Sequence, residues 1–177
     1  GSSTPDALGF LEASAEVLER LGRYEECFAR LEELVEKSLP RNGKPRLEDE
    51  VRRRRKLGSV AHRIGRVDLS LEHLSLCVTP EAELAAPTES LRARDELALL
   101  HHYRGEVDQA LEHASRGVAI WKASSKRDQR ATLQSAINFH ATLGQIHIRR
   151  LEFQESIGCL RQGLKLAERM RSKPNIA

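Results

Sequence analysis

Three groups of residues in this sequence carry side chains capable of chemistry, and spacing decides what each can do. The densest is the five-residue cationic run Arg52-Arg53-Arg54-Arg55-Lys56, with Glu48-Asp49-Glu50 one turn earlier. Such a run could neutralise phosphates, but a nucleic-acid strand would also want aromatic rings to stack on, or a basic stripe along one face. On a helix these neighbours scatter around the cylinder and meet the acidic turn before them. A solvated, salt-bridged face is therefore the simpler reading, and nucleic acid is a disfavoured partner. The second group is the seven histidines. His73 and Cys77 sit one helical turn apart and could share an ion, but two further ligands are lacking. His140 and His147 share a face but stand roughly 10 Å apart along the axis. No metal and no cofactor are expected. The third group is Cys27, Cys77 and Cys159, odd in number, far apart, and each on the apolar side of a helical pattern. That arrangement argues against a disulfide framework and against reactive thiolates. No phosphate loop, dinucleotide fingerprint, nucleophile elbow or zinc-protease motif occurs. The expectation is a chain with no catalytic residues, not an enzyme.

What must position these side chains is helical. Of 177 residues, 31% are charged with the signs interleaved and only 4% are aromatic, while Leu, Ala, Glu and Arg dominate. A net charge of +3 permits an acidic partner without demanding one made of nucleic acid. No apolar run approaches the ~20 residues that span a bilayer, so no membrane association is expected. With no signal peptide and reduced thiols, a cytoplasmic location is expected. Gly1-Ser2 reads as a cloning remnant, residues 1–5 and 173–177 as tails, and the stop after Pro174 as the edge of an excised piece.

One phrase recurs along the chain. Its clearest copy is Leu21-Gly22-Arg23-Tyr24-Glu25-Glu26-Cys27, and it returns around Gly65-Arg66-Val67, around Gly105-Glu106-Val107, and more weakly around Leu151-Glu152-Phe153. The spacings are 43, 40 and 46 residues. Apolar residues recur at three and four on both sides of each copy, as at Leu8, Leu11, Ala15, Leu18 and Leu21, which predicts paired amphipathic helices joined by sharp reversals. The first helix is expected to open at Ser3-Thr4-Pro5-Asp6. Leu39-Pro40-Arg41-Asn42-Gly43-Lys44-Pro45 reads as a loop, residues 80–88 as a helical turn or a linker, and Thr88 as a helix cap. Lys122 to Asp128 reads as a polar break before a long helix, and Lys173-Pro174 as the end of the last one. Gly58 and Gly144, placed mid-helix at a propensity cost of about 1 kcal/mol each, predict close helix–helix approach. No convincing period-two strand appears. All-α is the fold class.

The pattern resembles the tetratricopeptide repeat (TPR), in a long-period variant of about 40 residues rather than the usual 34. Repeat two carries the match best, with Leu57-Gly58, Gly65-Arg66-Val67, Ser70, Leu74 and Cys77. Repeat three has Leu97-Ala98, Gly105, Ala110, Ala114 and Gly117, and repeat four Leu143-Gly144, Ser156, Leu160 and Gly163 with Leu151 at the turn position. The resemblance implies an α-solenoid of about four helix–turn–helix repeats forming a right-handed superhelix, as one domain over residues 6–172, with repeats near 6–39, 46–79, 88–123 and 128–171. It also implies a protein-interaction scaffold whose first helices line a concave groove. The family's chaperone-tail clamp uses lysines and asparagines on the first helices. This chain has Glu12 and Glu16 there, so that clamp is not expected.

By position in the repeat, the groove would show Glu12, Glu16 and Glu19 at one end. Arg52, Arg55, His62 and Arg63 follow from repeat two, Arg92, Asp95, His102 and Tyr103 from repeat three, and Asn138, Gln145 and Arg149 from repeat four. Arginines suit carboxylates held in a fork, so the expected partner is a protein or peptide with acidic residues, bound by a docking or regulatory domain of a larger signalling protein. Two alternatives stand beside it: self-association into a homodimer, because the last helix (Phe153, Ile157, Leu160, Leu164) looks apolar enough to need cover, and nucleic-acid binding through the arginine run.

Overall fold

The computed structural model of the chain describes residues 5–38 and 46–172. The expected cap at Ser3-Thr4, the loop at 39–45, the stop at Lys173-Pro174 and both tails lie outside these residues, except Pro5, which opens α1 rather than ending a tail. Among the described residues there are ten α-helices and no strand. The helices are α1 (Pro5–Arg20), α2 (Tyr24–Ser38), α3 (Leu47–Arg63), α4 (Val67–Ser75), α5 (Pro80–Ala85), α6 (Pro87–Tyr103), α7 (Val107–Ala123), α8 (Lys126–Ala131), α9 (Leu133–Arg149) and α10 (Phe153–Arg171). The chain divides into two compact units, residues 1–90 and 91–177, with the boundary inside the first turns of α6.

The recurring phrase is a helix stop made from backbone alone. Gly22 N–H donates to the Glu19 carbonyl at 3.0 Å and Arg23 N–H to the Leu18 carbonyl at 2.9 Å. The same pair of bonds recurs at Gly65-Arg66, Gly105-Glu106 and Leu151-Glu152. This is a Schellman termination, whose last residue must enter the left-handed region. The φ angles are +71, +78 and +76 degrees at the three glycines and +61 degrees at Leu151, so the weak fourth copy makes the same reversal without glycine.

In the first unit, α1 packs on α2, α2 on α3, and α3 on both α4 and α5. Leu11, Ala15, Cys27, Phe28, Leu31, Leu34, Leu57, Val60 and Ala61 form its core. In the second unit Leu91, Ala98, Ala114, Phe139 and Leu143 bring α6, α7 and α9 together, and α10 packs on α9. Gly58 and Gly144 meet their partner helices as expected. A Cβ on Gly58 would stand 2.7 Å from Cγ of Leu74, and one on Gly144 would stand 2.7 Å from Cγ of Leu160. Small residues just after the reversals close the same gap from the other side. Cys27 Sγ donates to the Ala15 carbonyl at 3.3 Å, and Ser156 Oγ to the Gly144 carbonyl at 3.0 Å.

Several local readings change. Of the two readings of residues 80–88, the helical turn is the outcome: Thr79 caps α5, accepting from Ala82 N–H at 3.2 Å with Pro80 in the first turn. Thr88 is not a cap, because α6 already begins at Pro87, where fixed φ suits a first helical turn. The polar break holds a helix of its own, α8, capped by the Ser125 hydroxyl, which accepts from Asp128 N–H. α4 tightens into a 3₁₀ turn over Leu76–Val78. Leu21 keeps the helical spacing of its face but is exposed.

Candidate functional site

The expected groove residues fall on two sets of elements, one in each unit. In the second unit, α6 and α9 run as neighbours, and the spacing of two turns between Asp95 and His102, and between Asn138 and Gln145, keeps each pair on one face. Side-chain bonds stitch that seam along its length. Arg92 Nη2 donates to the Ala131 carbonyl at 3.2 Å, capping the end of α8. Asn138 Nδ2 donates to Asp95 Oδ2 at 2.9 Å, and Asn138 Oδ1 accepts from Gln134 Nε2 at 2.9 Å. Arg149 Nη1 donates to the His102 carbonyl at 3.3 Å, and Gln145 bonds the His102 ring. The structure therefore pairs Asp95 with Asn138 and His102 with Gln145 and Arg149, while Arg92 bonds the Ala131 backbone and Tyr103 is exposed beside His102.

The electrostatics of the seam follow from its depth. Burial pushes the Asp95 carboxyl up to about 7, against the downward pull of hydrogen bonds from Asn138 and Ser135 and with a push from Glu96. Burial, helped by the nearby Arg149 charge and opposed by the Gln145 hydrogen bond, also lowers His102 and so favours its neutral imidazole. Its Nδ1 is buried and makes no hydrogen bond. His102 thus lies beneath the surface, whereas Tyr103, Gln145 and Arg149 are exposed.

In the first unit the arginine run is largely internally paired. Arg52 meets Glu48 at 3.3 Å and Asp49 at 3.6 Å, and Arg54 meets Glu50 at 2.8 Å, all across one turn of α3. Arg55 is mostly buried and pairs with Glu89 at 2.5 Å while donating to Ser59 Oγ at 3.2 Å. His62 is half-buried on the same helix. Arg63 donates to Tyr24 Oη at 3.0 Å, with its guanidinium carbon 5.2 Å from the ring centre. Arg66 does the same one turn on, lying 4.6 Å over Phe28 and reaching Glu25 at 3.3 Å. Arg55 and Arg63 thus join one element to another. Glu16 is exposed on α1, with Glu12 and Glu19 half-exposed.

A second polar cluster in the second unit was not singled out by sequence. The His101 and His113 rings stack with centroids 5.3 Å apart and planes within 4 degrees. His101 Nδ1 meets Glu106 at 2.5 Å, and Arg94 Nη1 lies 3.3 Å from His113 Nδ1. Burial, the Arg94 charge and His101 take His113 down to about 4. His147 and Glu152 repeat the His101–Glu106 brace at the next reversal, also at 2.5 Å. His147 therefore already has a partner. His73 and Cys77 bond within their own turn, Cys77 Sγ donating to the His73 carbonyl at 3.3 Å. Among the described residues no three of His, Cys, Asp or Glu converge as metal ligands. Burial raises the Cys27 and Cys159 thiols, which disfavours their thiolates. No described helix is long and apolar enough to cross a membrane.

No family model matches the sequence, and no curated protein does either. Solved structures do match. BtubC (BKLC) from P. vanneervenii superposes with a TM-score of 0.76 at 18% identity, over 98% of this chain and 69% of that one. Two crystal structures of a Podosopora anserina putative kinesin light chain with nearly identical TPR-like repeats also match. One superposes at 0.72 with 20% identity over 97% of this chain and 80% of that one. The other superposes at 0.70 with 19% identity over 98% and 81%. The four backbone reversals and the glycine-mediated helix contacts agree with that likeness, and the fold of this chain is the all-α, TPR-like repeat fold.

Proposed function

We propose that this chain is a non-enzymatic protein-interaction scaffold. In our reading it takes an extended or helical partner segment bearing acidic residues along the α6–α9 seam. The observation that carries this reading is the side-chain ladder from Arg92 through Asp95–Asn138 to His102–Gln145–Arg149, which fixes a long polar surface before any partner arrives. With Asp95 raised to about 7, its carboxyl is only partly ionised near neutral pH and does not cancel both Arg92 and Arg149, so the face is cationic. Tyr103 offers an exposed aromatic surface beside it. In the first unit, taken by itself, Arg52 and His62 on α3 are the candidate contact residues, while Arg55 is engaged by Glu89 and Arg63 by Tyr24. A cytoplasmic docking or regulatory domain of a larger signalling protein is the setting that suits such a passive surface.

The test is a peptide array of acidic, neutral and basic segments, probed with wild type and with Tyr103→Ala/Arg149→Glu. Acidic segments should be retained preferentially, and the variant should lose at least tenfold in affinity while keeping its helical circular dichroism. Equal retention of all three classes, or of acidic segments by both proteins, would overturn the reading.

A further inference from the structure

We infer that copies of this chain associate head to tail, the outer face of α1 in one copy seating on α9 and α10 of the next. The contact would be the same repeat-to-repeat junction that each unit already contains. Counting from the turn residue of each repeat makes the correspondence explicit. Phe10 and Val17 stand at the same positions before Gly22 as Phe139 and Ile146 do before Leu151. Phe139 and Ile146 are both 0% exposed in a helix that packs on α7, whereas Phe10 is 69% and Val17 56% exposed. In repeat two, Val60 holds the Val17 position and is 1% exposed in the core shared with α2. The exposed face of α1 therefore has the composition and register of a junction face. It lines an open groove of about 690 Å³ with Leu21 and Ala29.

α10 shows the other half. Its exposed Phe153, Ile157, Leu160 and Leu164 stand at the positions of Tyr24, Phe28, Leu31 and Val35 in α2. There, Phe28 and Leu31 are buried, and Tyr24 and Val35 pack against the core to which α3 contributes. A second groove, of about 220 Å³, runs between α9 and α10 past Ile137, Ala141 and Gly163, where the next first helix would lie. The exposed faces of α1 and α10 are thus the two apolar halves of one type of junction.

The polar contacts that orient the internal junction also have their counterparts. Arg63 and Arg66 of repeat two reach back to Tyr24, Glu25 and Phe28 of repeat one. Arg150 likewise reaches Asp108 at 2.8 Å. The equivalents of Arg63 and Arg66 at the free end are Arg20 and Arg23. On a neighbouring copy's α10 Arg20 would cover Phe153 as Arg63 covers Tyr24, and Arg23 would lie over Ile157. Gln154 holds the Glu25 position, and Arg23 keeps its own partner Glu26 at 2.6 Å. Matching apolar faces and matching cations identify the occupant as a second copy of this chain. Because the two faces differ, the contact is heterologous and leaves one α1 and one α10 free, so assembly is not limited to a dimer.

Sedimentation and light scattering across a concentration series test this. Wild type, of 19.9 kDa, should show a weight-average mass rising with concentration towards twice that value and beyond. Val17→Glu and Leu164→Glu both alter exposed side chains, so each should retain its circular dichroism and each alone should remain monomeric. Mixed at equal ratio, they should form a one-to-one heterodimer and nothing larger, because one retains a working α10 and the other a working α1. A wild type that stays monomeric at every concentration would sink the proposal. So would association that survives both substitutions, or a mixture that fails to pair. None of these outcomes bears on peptide capture at the α6–α9 seam, so the two proposals can fail separately.

Discussion

The ring tip of Phe139 occupies the space that Gly117 leaves empty: a Cβ built on Gly117 would stand 2.3 Å from Cζ of Phe139. Both residues are buried, and Phe139 is among the largest fully buried side chains, so the ring has nowhere to retreat. Gly117→Ala should therefore destabilise by about 1–3 kcal/mol through overpacking, despite the better helix propensity of alanine. A lowered urea midpoint checks this, and an unchanged midpoint would mean that α7 and α9 can separate freely.

Leu151 invites the opposite substitution. Its φ of +61 degrees is the one positive value at a non-glycine residue among those described, and its side chain is exposed. Left-handed backbone costs an L-residue about 1–2 kcal/mol, part of which a glycine would return as unfolded-state freedom. Leu151→Gly should raise the melting temperature, by a stability gain of up to about 1 kcal/mol. A fall would show that the Leu151 side chain contributes packing that outweighs its strain.

Asp95 and His113 should have opposed effects on acid stability. His113 is lowered from 6.5 to about 4, so the unfolded chain binds its proton first and stability is lost as pH falls through that window. Asp95 is raised from 3.8 to about 7, so its protonated form is favoured in the fold and stability is lost as pH rises through that window. Between about 4 and 6.5 the two proton counts cancel. Asp95→Asn should unmask stability that rises with pH, and His113→Gln stability that falls with it, each by up to about 1.4 kcal/mol per pH unit. Denaturant titrations at a series of pH values would reveal the two slopes, and parallel slopes in the two variants would contradict the assignment.

The reversals were legible because they are local: a helix stop needs only the residues within two turns of it, and even Leu151 kept its register without glycine. Gly58 and Gly144 were legible for a related reason, since mid-helix glycine has few uses other than close approach. α5 was legible only as one of two alternatives and α8 not at all, because six residues are too few to show a period. Leu21 shows a different limit. Helical spacing identifies an apolar face but not whether another helix covers it. For the candidate site, repeat position placed Asp95, His102, Asn138, Gln145 and Arg149 on neighbouring helices. Their pairing, like that of Arg55 with Glu89, joins residues 34 to 47 positions apart, and no local pattern encodes that. Arg94 and His113 escaped notice because lone polar residues on half-buried faces carry no motif.

The backbone stop at each reversal also bears on how the chain is made. The bonds that close α1 at Gly22 reach no further back than Leu18, and the partner helix ends by Ser38. On a ribosome, where a chain emerges at roughly 5–20 residues per second and hairpins of this kind close far faster, the first pair can form while the third helix is still being synthesised. Each later pair then meets a surface already folded. Synthesis order becomes assembly order, and a nascent chain would show its apolar α2 face to solvent or to chaperones only until α3 arrives.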